Sequence, residues 1–176
     1  MILNVIREKT NKTMTEWKEV YGFAPKDVAE ILNEVRLDWI IQLTDCLEIW
    51  VNKELILNEG ELLLARVNLG AIVECWLKFF YCVYFLDYKK NPKKNKKDEM
   101  IHPRDLSFEY LIQYSRGILW DKDSCWEKWI RNIQFTRNAI HIFNGNDIGT
   151  NEDFINDLER LNKFIDIILK RLPDIV

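Results

Sequence analysis

The sequence predicts an all-α fold, an antiparallel bundle of four to five helices, on three observations. Only six Gly and four Pro occur in 176 residues, too few for the frequent reversals of a sandwich or barrel. Hydrophobic residues make up 48% of the chain, enough to bury a core without a disulfide or metal staple. Apolar residues recur at three- to four-residue intervals along most of the length. One domain over residues 1–176 is the expectation at this length.

The elements follow in chain order. Residues 1–24 are mixed, and Trp17, Val20, Tyr21 and Phe23 suggest a short amphipathic helix, an N-terminal addition docked on the main body. Pro25 suits a first helical turn, and Ile31, Val35, Trp39, Leu43 and Leu47 predict one long helix over 28–51. The Asn58-Glu59-Gly60 break then leads to a second helix over 61–88, apolar on nearly all sides and therefore central, paired with the first as a hairpin. Residues 89–104 form a Lys-rich connector. Its nine residues Lys89 to Lys97 hold six lysines and Pro92, a composition that neither buries nor sustains a helix.

Asp105 or Ser107 can cap a third helix reaching residue 119, and Asp123 or Ser124 a fourth reaching residue 143, ended by Asn144-Gly145-Asn146-Asp147. A last helix over 152–171 shows Phe154, Leu158, Leu161, Ile165, Ile168 and Leu172 on one face and stops at Pro173.

Composition also bounds function. A formal charge of −3 argues against a protein that coats nucleic acid through overall positive charge, so any RNA contact has to be local. The start of the chain lacks the pattern of a secretory signal, and the most apolar stretch, residues 62–86, is interrupted by Arg66, Asn68, Glu74 and Lys78. A cytoplasmic protein with no membrane span is expected. Cys46, Cys75, Cys82 and Cys125 lie in apolar helical patterns and read as buried reduced thiols.

The fourth helix carries the chemistry. Trp126, Trp129, Ile130, Ile133 and Ile140 form its inward stripe, and at 100° per residue Arg137 falls in the middle of it. A guanidinium on an apolar face is costly unless it meets a carboxylate or opens onto a cleft, and Glu74 on the second helix is the expected partner. His141, four residues on and about 40° around, would share that face. An arginine fork can hold a phosphate and a histidine can move a proton near neutral pH. Read structurally, the same residues form a buried Arg–Glu pair that fixes helix register, with Glu74 and Lys78 as an i,i+4 pair. His102, before Pro103, reads as a solvated loop residue. The lysines Lys93, Lys94, Lys96 and Lys97 read as a soluble loop or as a track for a nucleic-acid backbone.

The segment Phe135-Thr136-Arg137-Asn138-Ala139-Ile140-His141 resembles the signature of the HEPN superfamily, and the stretch from Leu64 to Lys78, with Arg66 and Glu74, resembles the central helix of HEPN-like bacterial proteins. The resemblance covers the core of the chain. It implies a helical bundle, often a homodimer with the Arg and His of two copies facing each other. It also implies metal-independent RNA cleavage in a toxin–antitoxin or phage-defence setting, with an antitoxin protein as a possible partner. Arg137 would then hold the scissile phosphate, His141 would act as acid or base in attack by the ribose 2′-hydroxyl, Asn138 would orient one of them, and Glu74 and Arg66 would support them. No cofactor is implied, and the sequence carries no His/Cys/Asp/Glu cluster at metal-ligand spacing. Fewer residues separate Arg137 from His141 than the family pattern leaves. The alternative expectation is therefore a catalytically inactive HEPN-like module that binds a nucleotide or a partner protein.

Overall fold

Helix α1 spans Ile2–Lys18 and buries Leu3, Ile6, Thr10, Thr13, Met14 and Trp17, a stripe at helical spacing. The computed structural model describes residues 2–51, 56–141, 145 and 147–174, and among these every regular element is helical, with no strand. The stripe of α1 packs against α3 (Leu37–Val51) and α8 (Asn151–Leu169). Lys9 clamps α8 through Asp166 at 2.6 Å, and Arg7 reaches Asp45 of α3 at 3.1 Å. The segment expected as an addition is thus a 17-residue wall of the core. Trp17 and Val20 bury as expected, while Tyr21 and Phe23 stay exposed.

The single helix expected over 28–51 is two helices, α2 (Lys26–Glu34) and α3. Val35 between them is extended, with φ −89° and ψ 153°. The turn that follows has its own closure, because the Arg36 guanidinium donates to Asp38 at 2.9 and 2.6 Å and lies 4.6 Å over the Trp39 ring. The break shifts the helical phase. Leu37, Ile40, Thr44 and Leu47 bury, whereas Trp39 turns out to 55% exposure. Cys46 is exposed on α3, Cys125 is exposed in the first turn of α7 (Cys125–Arg137), Cys75 is half-buried, and only Cys82 is buried as the sequence suggested; all four are free thiols.

Helix α4 (Glu59–Val83) is the centre, as its all-round apolar pattern implied, and it packs on α2, α3, α7 and α8. It starts two residues before the expected boundary because Asn58 and Glu61 form a capping box: the Asn58 side chain accepts from the Glu61 N–H, and the Glu61 carboxylate accepts from the Asn58 N–H. Trp76 is fully buried and stands edge-on to Phe79 at 5.8 Å, and Phe79 meets Trp17 of α1 at the same distance. Burying each large apolar side chain of this kind contributes about 1.5–3 kcal/mol. At Tyr84 the helix turns, and the short α5 (Phe85–Tyr88) completes the expected span.

Residues 89–102 form an exposed to half-buried loop without helix, pinned by a Tyr88 hydroxyl that donates to the Ile101 carbonyl at 2.8 Å. His102 is half-buried; its Nδ1 accepts from the Arg104 N–H and its ring lies 5.0 Å from Phe85. Helix α6 (Phe108–Tyr114) is capped by Ser107 and stops five residues short of expectation. Helix α7 is capped by Ser124, and α8 by a capping box between Thr150 and Asp153. Residues 142–144 and 146, where the fourth helix was expected to end and its break to lie, are outside the described residues. No described helix is long and apolar enough to cross a membrane.

Candidate functional site

The site begins at Gly70 on α4. A Cβ there would lie 2.4 Å from the Arg137 Cβ, so only glycine lets the last turn of α7 come this close. The Arg137 side chain therefore runs along α4 to Glu74, one turn on. Its Nη2 donates to the Glu74 carboxylate at 2.8 Å, and Lys78 takes the other carboxylate oxygen at 3.0 Å. Both the Arg137–Glu74 pair and the i,i+4 pair expected from the sequence are present. The cluster keeps one positive charge in excess, and the Arg137 side chain is 35% exposed against 12% for Glu74. The Asn138 amide oxygen accepts from Arg137 Nη1 at 3.3 Å, so Asn138 orients the fork.

The helix does not carry His141. It ends at Arg137, and a 3-10 turn over Asn138–Ile140 leads to His141, whose N–H closes on the Asn138 carbonyl at 3.1 Å. A tighter winding of about three residues per turn changes the angle between residues 137 and 141, so the α-helical shared face does not apply. Ile140, expected on the inward stripe, is 43% exposed for the same reason, and Trp126 is half-buried. The imidazole of His141 is exposed and has no hydrogen-bond partner among the described residues, so it stands in solvent one turn past the arginine. A different residue type is silent here. Burial first, and then the Glu74 carboxylate, hold the Cys75 thiol above its ordinary pKa, which keeps it protonated at neutral pH.

Arg66 lies elsewhere. It sits eight residues before Glu74, about 12 Å along the helix at 1.5 Å per residue. It is 1% exposed and ion-paired with Asp157 of α8, while its Nε donates to the Ile148 carbonyl at 2.9 Å. The Trp129 indole N–H donates to the other oxygen of Asp157 at 2.7 Å. Together these groups floor a polar cleft of about 630 Å³ between α7 and α8, and Arg66 holds Ile148, just ahead of α8. Arg66 thus holds the residues just before α8 and does not join Arg137.

The lysine loop is also apart. Lys94 pairs with Asp98 at 3.0 Å, Lys93 lies 4.2 Å over the Tyr110 ring, and Lys96 and Lys97 are exposed; no hydrogen bond or ion pair among the described residues joins them to Arg137 or His141. Among the described residues no group of three His, Cys, Asp or Glu side chains could hold a metal ion.

The sequence reading missed a second charged centre on α7. Glu127, 2% exposed, is gripped by Arg116 at 2.6 Å and Arg131 at 2.9 Å and accepts from the Asp123 N–H. The i,i+4 spacing of Glu127 and Arg131 was a signal; Arg116, from the loop between α6 and α7, gave none. The Arg116 hydrogen bond, followed by that of Arg131, overcomes desolvation and lowers the Glu127 pKa from 4.5 to about 2. Because the folded value lies below the unfolded one, Glu127 contributes stability above pH 4.5 that is lost as pH falls towards 2. Urea midpoints measured across that window should fall more steeply for the native chain than for Glu127→Gln. Parallel profiles would remove Glu127 from the acid response.

Comparison with protein-family models, characterised proteins and solved structures returned no match.

Proposed function

We propose that the chain is a HEPN-like, metal-independent endoribonuclease that acts as a homodimer in a toxin–antitoxin or phage-defence setting. One observation carries the reading: a guanidinium aimed by Glu74 and Asn138, with a third of its surface in solvent, followed one turn later by an exposed imidazole. Arg137 holds the scissile phosphate and offsets the charge that builds on it. The ribose 2′-oxygen attacks phosphorus, the bond to the 5′-oxygen breaks, and a 2′,3′-cyclic phosphate forms. His141 takes the 2′-hydroxyl proton or supplies one to the leaving oxygen, and its counterpart in a second copy does the other. The excess positive charge at Glu74, Arg137 and Lys78 suits an RNA ligand on a chain that is acidic overall.

The test is RNA incubated in EDTA with the native chain, Arg137→Ala and His141→Ala. Cleavage by the native chain that leaves cyclic phosphate ends and drops about 100-fold or more in each variant is expected, the range for a lost proton-transfer group. Equal cleavage in all three, or none by the native chain, overturns the nuclease.

A second reading has its own support. Both oxygens of Glu74 are occupied, and two of the nitrogens of Arg137 are already engaged within the protein. A satisfied arginine suits an inactive module that binds a nucleotide or a partner protein beside His141. Saturable stabilisation by a nucleotide, lost in Arg137→Ala and unaccompanied by cleavage, is its signature.

A further inference from the structure

At the opposite end of α4 from its Asn58 cap lies a pocket of about 490 Å³ that none of the residues above explains. Its walls are Phe80, Tyr81, Tyr84, Tyr88, Tyr114 and Ile118. The rings are packed on one another, with centroids 4.9 Å apart for Phe80 and Tyr84 and 5.6 Å for Tyr88 and Tyr114. Every tyrosine hydroxyl is tied into the protein. Tyr81 shares a bond with Ser115 at 3.1 Å, Tyr84 donates to the Arg171 carbonyl, Tyr88 to the Ile101 carbonyl and Tyr114 to the Asn91 carbonyl. The rings are thereby fixed and offer their faces and edges, not their hydroxyls, to the cavity. Burial raises the pKa of all four, so no phenolate forms at neutral pH.

Charge at the mouth is asymmetric. Asp87 is matched by Lys90 at 2.6 Å. The guanidinium of Arg171 donates Nε to the Ile118 carbonyl at 3.0 Å and Nη1 to the Ile167 carbonyl at 3.1 Å, with no carboxylate partner among the described residues. Two carbonyls fix its plane and leave Nη2 without a partner among the described residues, on a residue that lines the pocket. A preformed apolar pocket with one convergent cation is the usual build of a small-molecule site, and the volume lies in the range of about 300–1,000 Å³ for such sites. Aromatic faces favour a flat ring, and a guanidinium with no carboxylate partner favours an anionic group.

We propose that this pocket binds a small aromatic acid, its ring between the tyrosines and its carboxylate or phosphate on Arg171. The probe is 8-anilinonaphthalene-1-sulfonate, read by fluorescence on the full chain. Saturable one-to-one binding is expected, weakened about tenfold in Arg171→Gln, as for a lost charge-assisted hydrogen bond, and largely kept in Arg171→Lys. Ile118→Trp, at a rim position 47% exposed, should block the pocket without unfolding the chain. Displacement by 1-naphthoate or by 1-naphthyl phosphate supports the site and tells which anion it prefers. Equal displacement by 1-naphthylmethylamine, or dye binding unchanged in both Arg171→Gln and Ile118→Trp, overturns it.

Discussion

Asp157→Ala should lower the stability of the fold by about 3–5 kcal/mol, the cost of breaking a buried ion pair from one side. Arg66 is 1% exposed, and among the described residues its ion pair is with Asp157, while the Asp153 carboxylate also feels its charge from the same cleft. Once the Asp157 carboxylate is gone, the guanidinium keeps the Ile148 carbonyl but stays buried without its ion-pair partner, and the Trp129 indole N–H loses its acceptor. In thermal terms this is about 6–20 °C for a chain of this size. Asp157→Asn keeps an acceptor oxygen and should cost less. The double change Arg66→Met with Asp157→Leu removes both charges and should recover part of the loss, because apolar groups of similar volume replace a buried pair at little cost. Denaturant midpoints decide it. An Asp157→Ala chain as stable as the native one would show that Arg66 finds water through the adjoining cleft and needs no partner.

That network also shows what the sequence could and could not disclose. Arg137 was placed correctly because a charge on an apolar stripe requires a counterion, and Glu74 was the acid available on the central helix. The same logic applied to Arg66, but Asp157 stands 91 residues away on a helix whose polar positions look like an ordinary solvated face. Spacing along one helix carries information; pairing between helices needs the packing angle, which no local pattern encodes. The break between α2 and α3 was hidden for a related reason. Nothing marks Val35 as a break, since neither Gly nor Pro stands there and apolar residues continue on both sides. The extended residue is compensated by the Arg36–Asp38 closure, a two-residue interaction hidden within a charged pair. Caps were more legible, since of the two candidates the sequence offers at each start the serine, Ser107 and Ser124, is the cap.

His141 illustrates the sharpest consequence of a misplaced boundary. The sequence shows no stop before Gly145, so an α-helix through residue 143 was the natural expectation. The chain instead leaves the α-helix at Arg137, and the three residues between the two side chains, Asn138–Ile140, form a 3-10 turn. Position in sequence still brings the two groups near each other, while their mutual orientation is set by Asn138, which bonds both the arginine fork and the His141 backbone.

Gly70→Ala is the second large effect, and its sign is the informative part. In a helix interior alanine is favoured over glycine by about 1 kcal/mol, so the substitution should stabilise α4 if space allowed. Space does not allow it, because the new methyl would stand 2.4 Å from the Arg137 Cβ and 2.5 Å from its Cγ. The Cγ can swing aside by rotation about χ1, but the Cβ is fixed to the backbone, so the end of α7 has to move away from α4. Overpacking of this kind costs about 1–3 kcal/mol, enough to cancel or reverse the propensity gain. The shift also draws the guanidinium off Glu74, and the turn that carries Asn138 and His141 moves with it. RNA cleavage, if Arg137 and His141 perform it, should fall in Gly70→Ala while the fold persists. A double-mutant cycle isolates the cause: in an Arg137→Gly background the opposing Cβ is gone, and Gly70→Ala should turn neutral or stabilising. Should Gly70→Ala stabilise the native chain as much as the Arg137→Gly chain, α7 would have room to spare at this crossing. The close approach that aims Arg137 would then not constrain it.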